Sequence, residues 1–139
     1  MLLIKTYIAS SLIPGAGLGL FAAEFIPKGT RIWEFTQNFD SLIEDSVVKK
    51  LHKTQKEFIE TYAYFNTTRK VWILCVDNDR FINHSETPNV ADSIEEFESG
   101  FSIAARNIQM GEELTCDYRL FDAAYVDKLS IPKTVDSST

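Results

Sequence analysis

Residues able to bind a ligand or do chemistry concentrate in three segments of this 139-residue chain. Gly15–Ala22 (GAGLGLFA) is rich in glycine, which lets backbone amides and carbonyls approach a ligand closely. Arg80–Asn89 (RFINHSETPN) mixes hydrogen-bonding and apolar side chains without regular periodicity, and buried polar groups of that kind need partners. Gly111–Tyr118 (GEELTCDY) is a turn and strand ending in Tyr118, whose hydroxyl can donate, accept or titrate.

Each segment taken separately also has an ordinary structural interpretation. The glycines precede a predicted strand rather than a helix, so they fail the dinucleotide-binding fingerprint and fit a plain turn. His84 alone is typical of a hydrogen-bonded structural histidine, and a tyrosine at a strand end usually caps a core. We expect no metal site, because His52 falls on the face of a predicted helix and cannot supply a second ligand.

The elements that position these segments are predicted to be mostly short strands. Apolar and β-branched runs indicate a series of strands, which cover Leu2–Ile8, Leu18–Ala23, Thr30–Phe35, Tyr62–Asn66, Val71–Val76, Ile94–Phe97, Phe101–Ala105 and Glu113–Cys116. The turns Thr67–Lys70 and Glu98–Gly100 predict two hairpins. Helical spacing of apolar residues predicts one helix between Ser41 and Thr61, with Asp40 or Ser41 as its N-cap.

The composition is that of an ordinary globular domain. A net charge of −6 and a pI near 4.9 argue against direct nucleic-acid binding and suit a lysine-rich protein or peptide as partner. No apolar run is long enough for a membrane span or a signal peptide, so we expect no membrane contact and a cytoplasmic location, or a nuclear one in a eukaryotic or viral setting. We expect reduced cysteines and a monomer or homodimer.

In their order along the chain, the three segments resemble the SET domain family. Its opening motif is matched by Gly17–Ala22 with the continuation Ile26–Thr30, its R-F-x-N-H-S-x-x-P-N motif by Arg80–Asn89, and its G-E-E-L-T-x-D-Y motif by Gly111–Tyr118. The resemblance spans about residues 3–121, so we assign residues 1–125 to the domain and residues 126–139 to a partly flexible C-terminal tail.

This resemblance implies a mainly β fold with one inserted helix, a β-clip of several small sheets with a C-terminal pseudoknot. It also implies a protein-lysine N-methyltransferase that uses S-adenosylmethionine. Histone tails, a bacterial chromatin protein, a ribosomal protein and a host protein all fit as the basic substrate. The donor site implied by the family motifs comprises Gly17, Leu18, Gly19, Arg80, Asn83, His84 and Tyr118. Phe121 is the candidate to stack on the adenine, with Tyr125 second.

The resemblance assigns catalysis to Tyr118, which would orient the substrate amine at the end of a narrow channel. Tyr62 resembles a second channel tyrosine, with Tyr64 as the alternative, and Cys116 occupies the position that limits product size. A free lysine has a pKa of about 10.4. A positive charge about 4 Å away at an effective dielectric of 20 is worth roughly 4 kcal/mol, so a sulfonium and desolvation together can neutralise the amine without a dedicated base.

Some residues depart from the family pattern. Glu86 replaces a frequent cysteine and the flanking cysteine clusters are missing, so we expect no zinc. Only Asn78 and Asp79 separate Asp77 from Arg80, which predicts a trimmed or more exposed donor pocket. The tail after Phe121 is expected to complete the substrate channel in preference to a second subunit. The competing interpretations are a SET-like module that binds lysine peptides without catalysis, and an interaction subunit acting through the predicted helix.

Overall fold

The computed structural model describes residues 1–93, 100–124 and 128. Within those residues the strands are β1 Thr6–Ser10, β2 Leu18–Ala22, β3 Arg31–Glu34, β4 Ser41–Glu44, β5 Tyr64–Asn66, β6 Val71–Leu74, β7 Asn83–His84, β8 Val90–Ser93, β9 Phe101–Ala104 and β10 Glu113–Cys116. The α-helices are α1 Asp45–Val48 and α2 Lys53–Tyr62, and single 3₁₀ turns cover Asn78–Phe81 and Tyr118–Leu120.

The strands form three small sheets. Their orders are β1-β2-β10-β7, β3-β9-β8 and β4-β6-β5. Each small sheet has an apolar face that must be buried against another element. The predicted mainly β fold of several small sheets is therefore confirmed.

Strand β10 brings the three sequence segments together. It pairs antiparallel with β2, with Leu114 opposite Leu20, and parallel with β7, with Cys116 opposite His84. Asn89 reinforces this arrangement from the end of the central segment, since its side chain donates to the Glu113 carbonyl and accepts from the Thr115 amide, each at 2.9 Å. The glycine-rich, central and closing segments therefore meet on one sheet, while the threading of a pseudoknot stays a prediction.

The prediction of one helix between Ser41 and Thr61 is wrong. The segment begins with β4, which pairs antiparallel with β6 from Ser41 opposite Leu74 to Glu44 opposite Val71, and only then forms α1 and α2. The buried strand β6 needs a hydrogen-bonding neighbour on each side, and β4 and β5 supply them, so sheet pairing overrides the helical spacing. His52 is the N-cap of α2 rather than a residue on its face, and its amide donates to Gln55 Oε1 at 3.2 Å.

The predicted hairpins have different outcomes. β5 and β6 pair around the turn with Asn66 opposite Val71, as expected. β9 lies within the predicted strand Phe101–Ala105, but its partner is β8, with Ser93 opposite Phe101. The predicted strand Ile94–Phe97 lies outside the described residues, as does most of the tail.

Two apolar clusters stabilise these sheets. The larger includes Leu20, Ile32, Ile108 and Leu114, all fully buried, and Tyr118 packs against it. The smaller forms under α2 and β6 from Val48, Ile59, Ala63 and Trp72. Across the described residues, no helix is long and apolar enough to cross a membrane.

Candidate functional site

Two cavities meet where the three segments converge. The larger, about 1200 Å³, is lined by the loop Ile13–Leu18, the end of α2, Asn83 and His84. The smaller, about 350 Å³, is lined by residues of all three sheets, among them Trp33, Tyr64 and Cys116. Residues that line both are Thr61, Tyr62, Phe65, Arg80, Ile82, Tyr118, Ala123 and Lys128.

The Glu113 carboxylate holds one wall of the larger cavity in place. It accepts hydrogen bonds from Ser11 Oγ at 2.7 Å, from the Leu12 amide at 2.8 Å and from Asn83 Nδ2 at 3.2 Å. A Cβ at Gly19 would lie 2.5 Å from Glu113 Oε2, so only glycine permits this approach. The carboxylate thus joins the glycine-rich loop to the central and closing segments.

The glycine-rich loop presents bare backbone to the larger cavity. Gly17 has a φ of +77°, and a Cβ built on it would meet no heavy atom within 4 Å. The neighbouring Leu18 carbonyl accepts a hydrogen bond from Asn83 Nδ2 at 2.9 Å. Gly17, Leu18 and Asn83 therefore form one continuous surface along the cavity.

The backbone of the closing segment holds the His84 ring in place. Its Nδ1 accepts a hydrogen bond from the Tyr118 amide at 3.1 Å, which places the ring N–H of the neutral form on Nε2. Asp117 Oδ1 lies 3.6 Å from the same nitrogen, but Arg119 hydrogen-bonds Asp117 and lowers its pKa to about 2. Asp117 is therefore paired with Arg119 rather than with His84.

Tyr118 stands in the wall between the cavities with its hydroxyl fixed. That hydroxyl donates to the Ile82 carbonyl, and the ring lies 5.5 Å from the His84 ring between centroids. Burial raises the pKa of Tyr118 well above its usual value, so the phenol stays protonated near neutral pH. It can orient a neighbouring group by hydrogen bonding but cannot act as a base there.

Aromatic rings and a thiol line the smaller cavity. The Tyr64 ring meets the Phe121 ring edge-on at 5.2 Å, and Cys116 is buried beside Tyr118, where burial raises the pKa of its thiol. Tyr62 lies at the boundary of both cavities, packed against Phe58 at 5.0 Å and Phe81 at 5.6 Å. Of the two candidate channel tyrosines, Tyr62 therefore lines both cavities, whereas Tyr64 lines the smaller one alone.

Two of the predicted donor residues, Gly19 and Phe121, do not line the larger cavity. Arg80 lines it, with its guanidinium over the Phe81 ring and its Nη1 donating to the Val76 carbonyl at 3.3 Å. Phe121 does not: it lines the smaller cavity, held edge-on to Tyr64 and Tyr118, so its placement does not support adenine stacking. Tyr125, the second candidate, lies outside the described residues.

Sequence reasoning missed the buried charges of the smaller cavity. Burial is the main cause that raises the pKa of Asp79 and of Asp92 to about 7. Asp92 Oδ2, Arg80 Nε and Trp33 Nε1 are buried without a hydrogen-bond partner within the described part of the chain, and all three residues line this cavity. Asp122 and Lys128 form a further buried ion pair there. Only the folded chain brings these groups together, so no local motif could have indicated them.

Where the chain is described, no three His, Cys, Asp or Glu side chains come together in a way that could hold a metal ion.

Comparison with known proteins identifies relatives of this chain. The family profile described as SET domain matches residues 17–119. The chain is 31% identical over 130 residues to histone-lysine N-methyltransferase trr of Drosophila melanogaster, covering 83% of this chain and 5% of that protein. It is 31% identical over 117 residues to an H3 lysine-36 specific histone-lysine N-methyltransferase of Mycosarcoma maydis, covering 75% and 11%. The chain thus spans a small part of these relatives.

Solved structures share the fold. A structure of ctPRC2 in an autoinhibited conformation bound to S-adenosylmethionine matches with a TM-score of 0.67 and 25% identity, covering 91% of this chain and 17% of that one. A crystal structure of an active polycomb repressive complex 2 in the stimulated state matches with a TM-score of 0.65 and 26% identity, covering 83% and 15%.

Proposed function

Since this chain belongs to the SET domain family, we propose that it is a protein-lysine N-methyltransferase that uses S-adenosylmethionine. The observation that carries the proposal is the position of Tyr118 in the wall shared by the two cavities. In this arrangement the methyl donor occupies the larger cavity and the substrate lysine enters the smaller one. Tyr118 is then the catalytic residue at their junction.

The larger cavity suits the proposed donor in chemistry. S-adenosylmethionine carries a sulfonium, an ammonium and ribose hydroxyls, which favour carboxylates or carbonyls as partners, and a carboxylate, which favours cationic groups or N–H donors. The cavity is lined by Glu57, Glu60 and the open backbone around Gly17, where an added Cβ would reach no other atom. We assign six residues to the donor site. Gly17, Leu18, Arg80, Asn83 and His84 line the cavity, whereas Gly19 acts through the loop, by letting the Glu113 carboxylate approach it.

The donor, when bound, supplies a methyl group on a positively charged sulfur. The chain's own residues supply position and exclusion of water. Tyr118 keeps its proton and orients the amine, Ile82 fixes the direction of that hydroxyl, and the rings of Tyr64 and Phe121 narrow the cavity. No side chain needs to form a covalent intermediate.

Calorimetric titration with S-adenosylmethionine tests the donor site. We expect saturable binding, weakened by at least about 1 kcal/mol in Asn83→Ala, because Asn83 Nδ2 holds both Leu18 and Glu113. Asn107→Ala is the matched control, since Asn107 also makes one side-chain bond to backbone, from the Lys28 amide at 2.8 Å, but does not line the cavity.

The same titration separates this proposal from its alternative. A SET-like module that only binds lysine peptides would show no affinity for S-adenosylmethionine. Equal affinity of Asn83→Ala and the unmodified chain would remove Asn83 from the donor site.

We propose a lysine-rich protein as the substrate. The net charge of −6 favours encounter with a basic segment, and the relatives named above are histone-lysine methyltransferases. Labelling a cell lysate with radioactive methyl donor, followed by mass spectrometry of the labelled band, would identify the substrate. Labelling restricted to acidic proteins would contradict this choice.

A further inference from the structure

A lysine of this chain already lies inside the proposed site. Lys128 Nζ donates to the Ala63 carbonyl and to Asp122 Oδ2, and it lies 5.8 Å from the centroid of the Tyr118 ring. Its side chain lines both cavities. The amine therefore lies in the region that the proposed function gives to the substrate lysine.

The burial of Lys128 distinguishes it from surface lysines. Its side chain is 15% exposed, against 72% for Lys49 and 91% for Lys53, and its partner Asp122 is 1% exposed. A buried ammonium is costly unless paired, and here both the carboxylate and a carbonyl compensate for lost water. Its position is therefore fixed by specific partners.

The partner carboxylate is itself anchored to the wall of the smaller cavity. Asp122 Oδ1 accepts from the amides of Phe65 and Ala124, each at 3.0 Å, and the Ala123 amide donates to the Phe65 carbonyl at 3.0 Å. The Lys128 amide in turn donates to the Ala124 carbonyl at 3.3 Å. Because backbone and side chain are both held, Lys128 stays next to the site without a separate binding step.

The bonding of the amine leaves one N–H for chemistry. A protonated lysine has three N–H donors, and Ala63 and Asp122 accept two of them. The third has no acceptor among the described residues. Transfer of the proton of this third N–H to water leaves a lone pair on the nitrogen. The other two hydrogen bonds keep the amine in place.

We propose that Lys128 is a self-methylation site of this protein. The inference rests on the proposed function. In the reaction the third N–H gives its proton to water, and the lone pair of Nζ forms the new bond to the methyl carbon. The bond between that carbon and the donor sulfur breaks with its electron pair left on sulfur, giving a neutral thioether. Methylation keeps the positive charge, so the product can still pair with Asp122.

The experiment incubates the full chain with trideuteromethyl-labelled S-adenosylmethionine and maps modified peptides by mass spectrometry. We expect label on Lys128, at a rate per molecule that does not change over a hundredfold dilution of protein. Lys128→Arg should lose this label, whereas Lys49→Arg, which alters an exposed lysine, should keep it. A lysine-rich histone peptide is included as an external substrate.

The outcomes separate this inference from the proposed function. Label on the peptide without label on Lys128 overturns self-methylation and leaves the proposed function intact, whereas label on neither overturns both. A second measurement needs no methyl donor: it is the rate at which an N-hydroxysuccinimide ester acylates each lysine. Lys128 should react at least tenfold more slowly than Lys49, and equal rates would show that the amine does not occupy the site.

Discussion

The Tyr118 hydroxyl is the group whose removal should separate donor binding from methyl transfer. It donates to the Ile82 carbonyl at the junction of the cavities. In Tyr118→Phe we expect transfer to a lysine peptide to fall roughly 10²-fold, because one preorganised hydrogen-bonding group in a dry site is worth about that much. Donor affinity measured by calorimetry should change little.

The control for Tyr118→Phe is Tyr7→Phe, which removes a phenol hydroxyl from a half-exposed ring stacked on Phe21. That variant should retain full transfer activity. Unchanged turnover in Tyr118→Phe would refute the catalytic assignment.

Cys116 should permit addition of more than one methyl group to an external lysine. The buried thiol lines the smaller cavity with Tyr64 and Tyr118, and it is smaller than a phenol and a weak hydrogen-bond partner. It should therefore neither hold a competing water nor crowd a methylated amine. Mass spectrometry of a lysine peptide under excess donor should show products beyond monomethyllysine.

Two variants at the same position test this interpretation. Cys116→Tyr should shift the product toward monomethyllysine, because it adds bulk and a hydroxyl. Cys116→Ala, which removes the thiol without adding volume, should keep multiple methylation. An unmodified chain that stops at one methyl group would contradict the role of Cys116, and Tyr64 would then be the residue to substitute.

Among individual residues, those predicted from the sequence are the ones that sit in short contiguous motifs. Asn83, His84 and Tyr118 come together because β7 pairs with β10. The family resemblance grouped the motifs that contain these residues, but no local pattern predicted strand β7. The contact of Lys128 with the Ala63 carbonyl, and the meeting of Asp79 with Asp92 at one cavity, join parts of the chain that are distant in sequence. No spacing in the sequence reports such contacts.

At the scale of elements, the glycine-rich loop and β10 act as a unit joined by Glu113. An alanine Cβ at Gly19 would displace that carboxylate from Ser11 and Asn83. We expect Gly19→Ala to lower stability by about 1–3 kcal/mol through overpacking. It should also weaken S-adenosylmethionine binding in calorimetry, because the loop loses its anchor.

Gly29→Ala provides the comparison for Gly19→Ala. Gly29 has a φ of +84° and no atom within 4 Å of an added Cβ, so its cost is backbone strain of about 1–2 kcal/mol at a position that does not line the larger cavity. Donor affinity should be unchanged there. If both variants bound the donor equally well, Glu113 would have no part in shaping the site.

The elements also show why local patterns predicted some structure and missed the rest. The hairpin of β5 and β6 follows from a polar turn between two β-branched and aromatic runs, which is local information. The segment after Ser41 has helical spacing, yet its first four residues pair with β6 because that strand is buried between two neighbours. Such pairing depends on residues 27 to 33 positions away along the chain and overrides local propensity.

At the scale of the whole molecule, stability should fall as pH rises from about 4 to about 7. Asp79 and Asp92 have pKa values raised to about 7, chiefly by burial, whereas an unfolded aspartate has a pKa of about 3.9. Below pH 4 these groups are protonated in both states. Between the two pKa values the unfolded chain releases protons that the folded chain keeps, so the free energy of unfolding falls as pH rises. Above about pH 7 these two groups add no further pH dependence.

Asp79→Asn should remove much of this pH dependence, because an amide of nearly the same shape carries no ionisable proton. Each such group contributes a slope of about 1.4 kcal/mol per pH unit, so denaturant unfolding between pH 4 and 8 should show a flatter curve for the variant and higher stability above pH 7. In this variant the pKa of Asp92 should also fall, since the charge of Asp79 is the second cause that raises the pKa of Asp92. The pH dependence of stability should therefore become flatter still. Glu86→Gln alters a carboxylate that is 81% exposed, so its curve should follow that of the unmodified chain. Parallel curves for Asp79→Asn and the unmodified chain would mean that Asp79 is ionised in the folded protein, and the smaller cavity would then hold a negative charge next to Tyr118 at neutral pH.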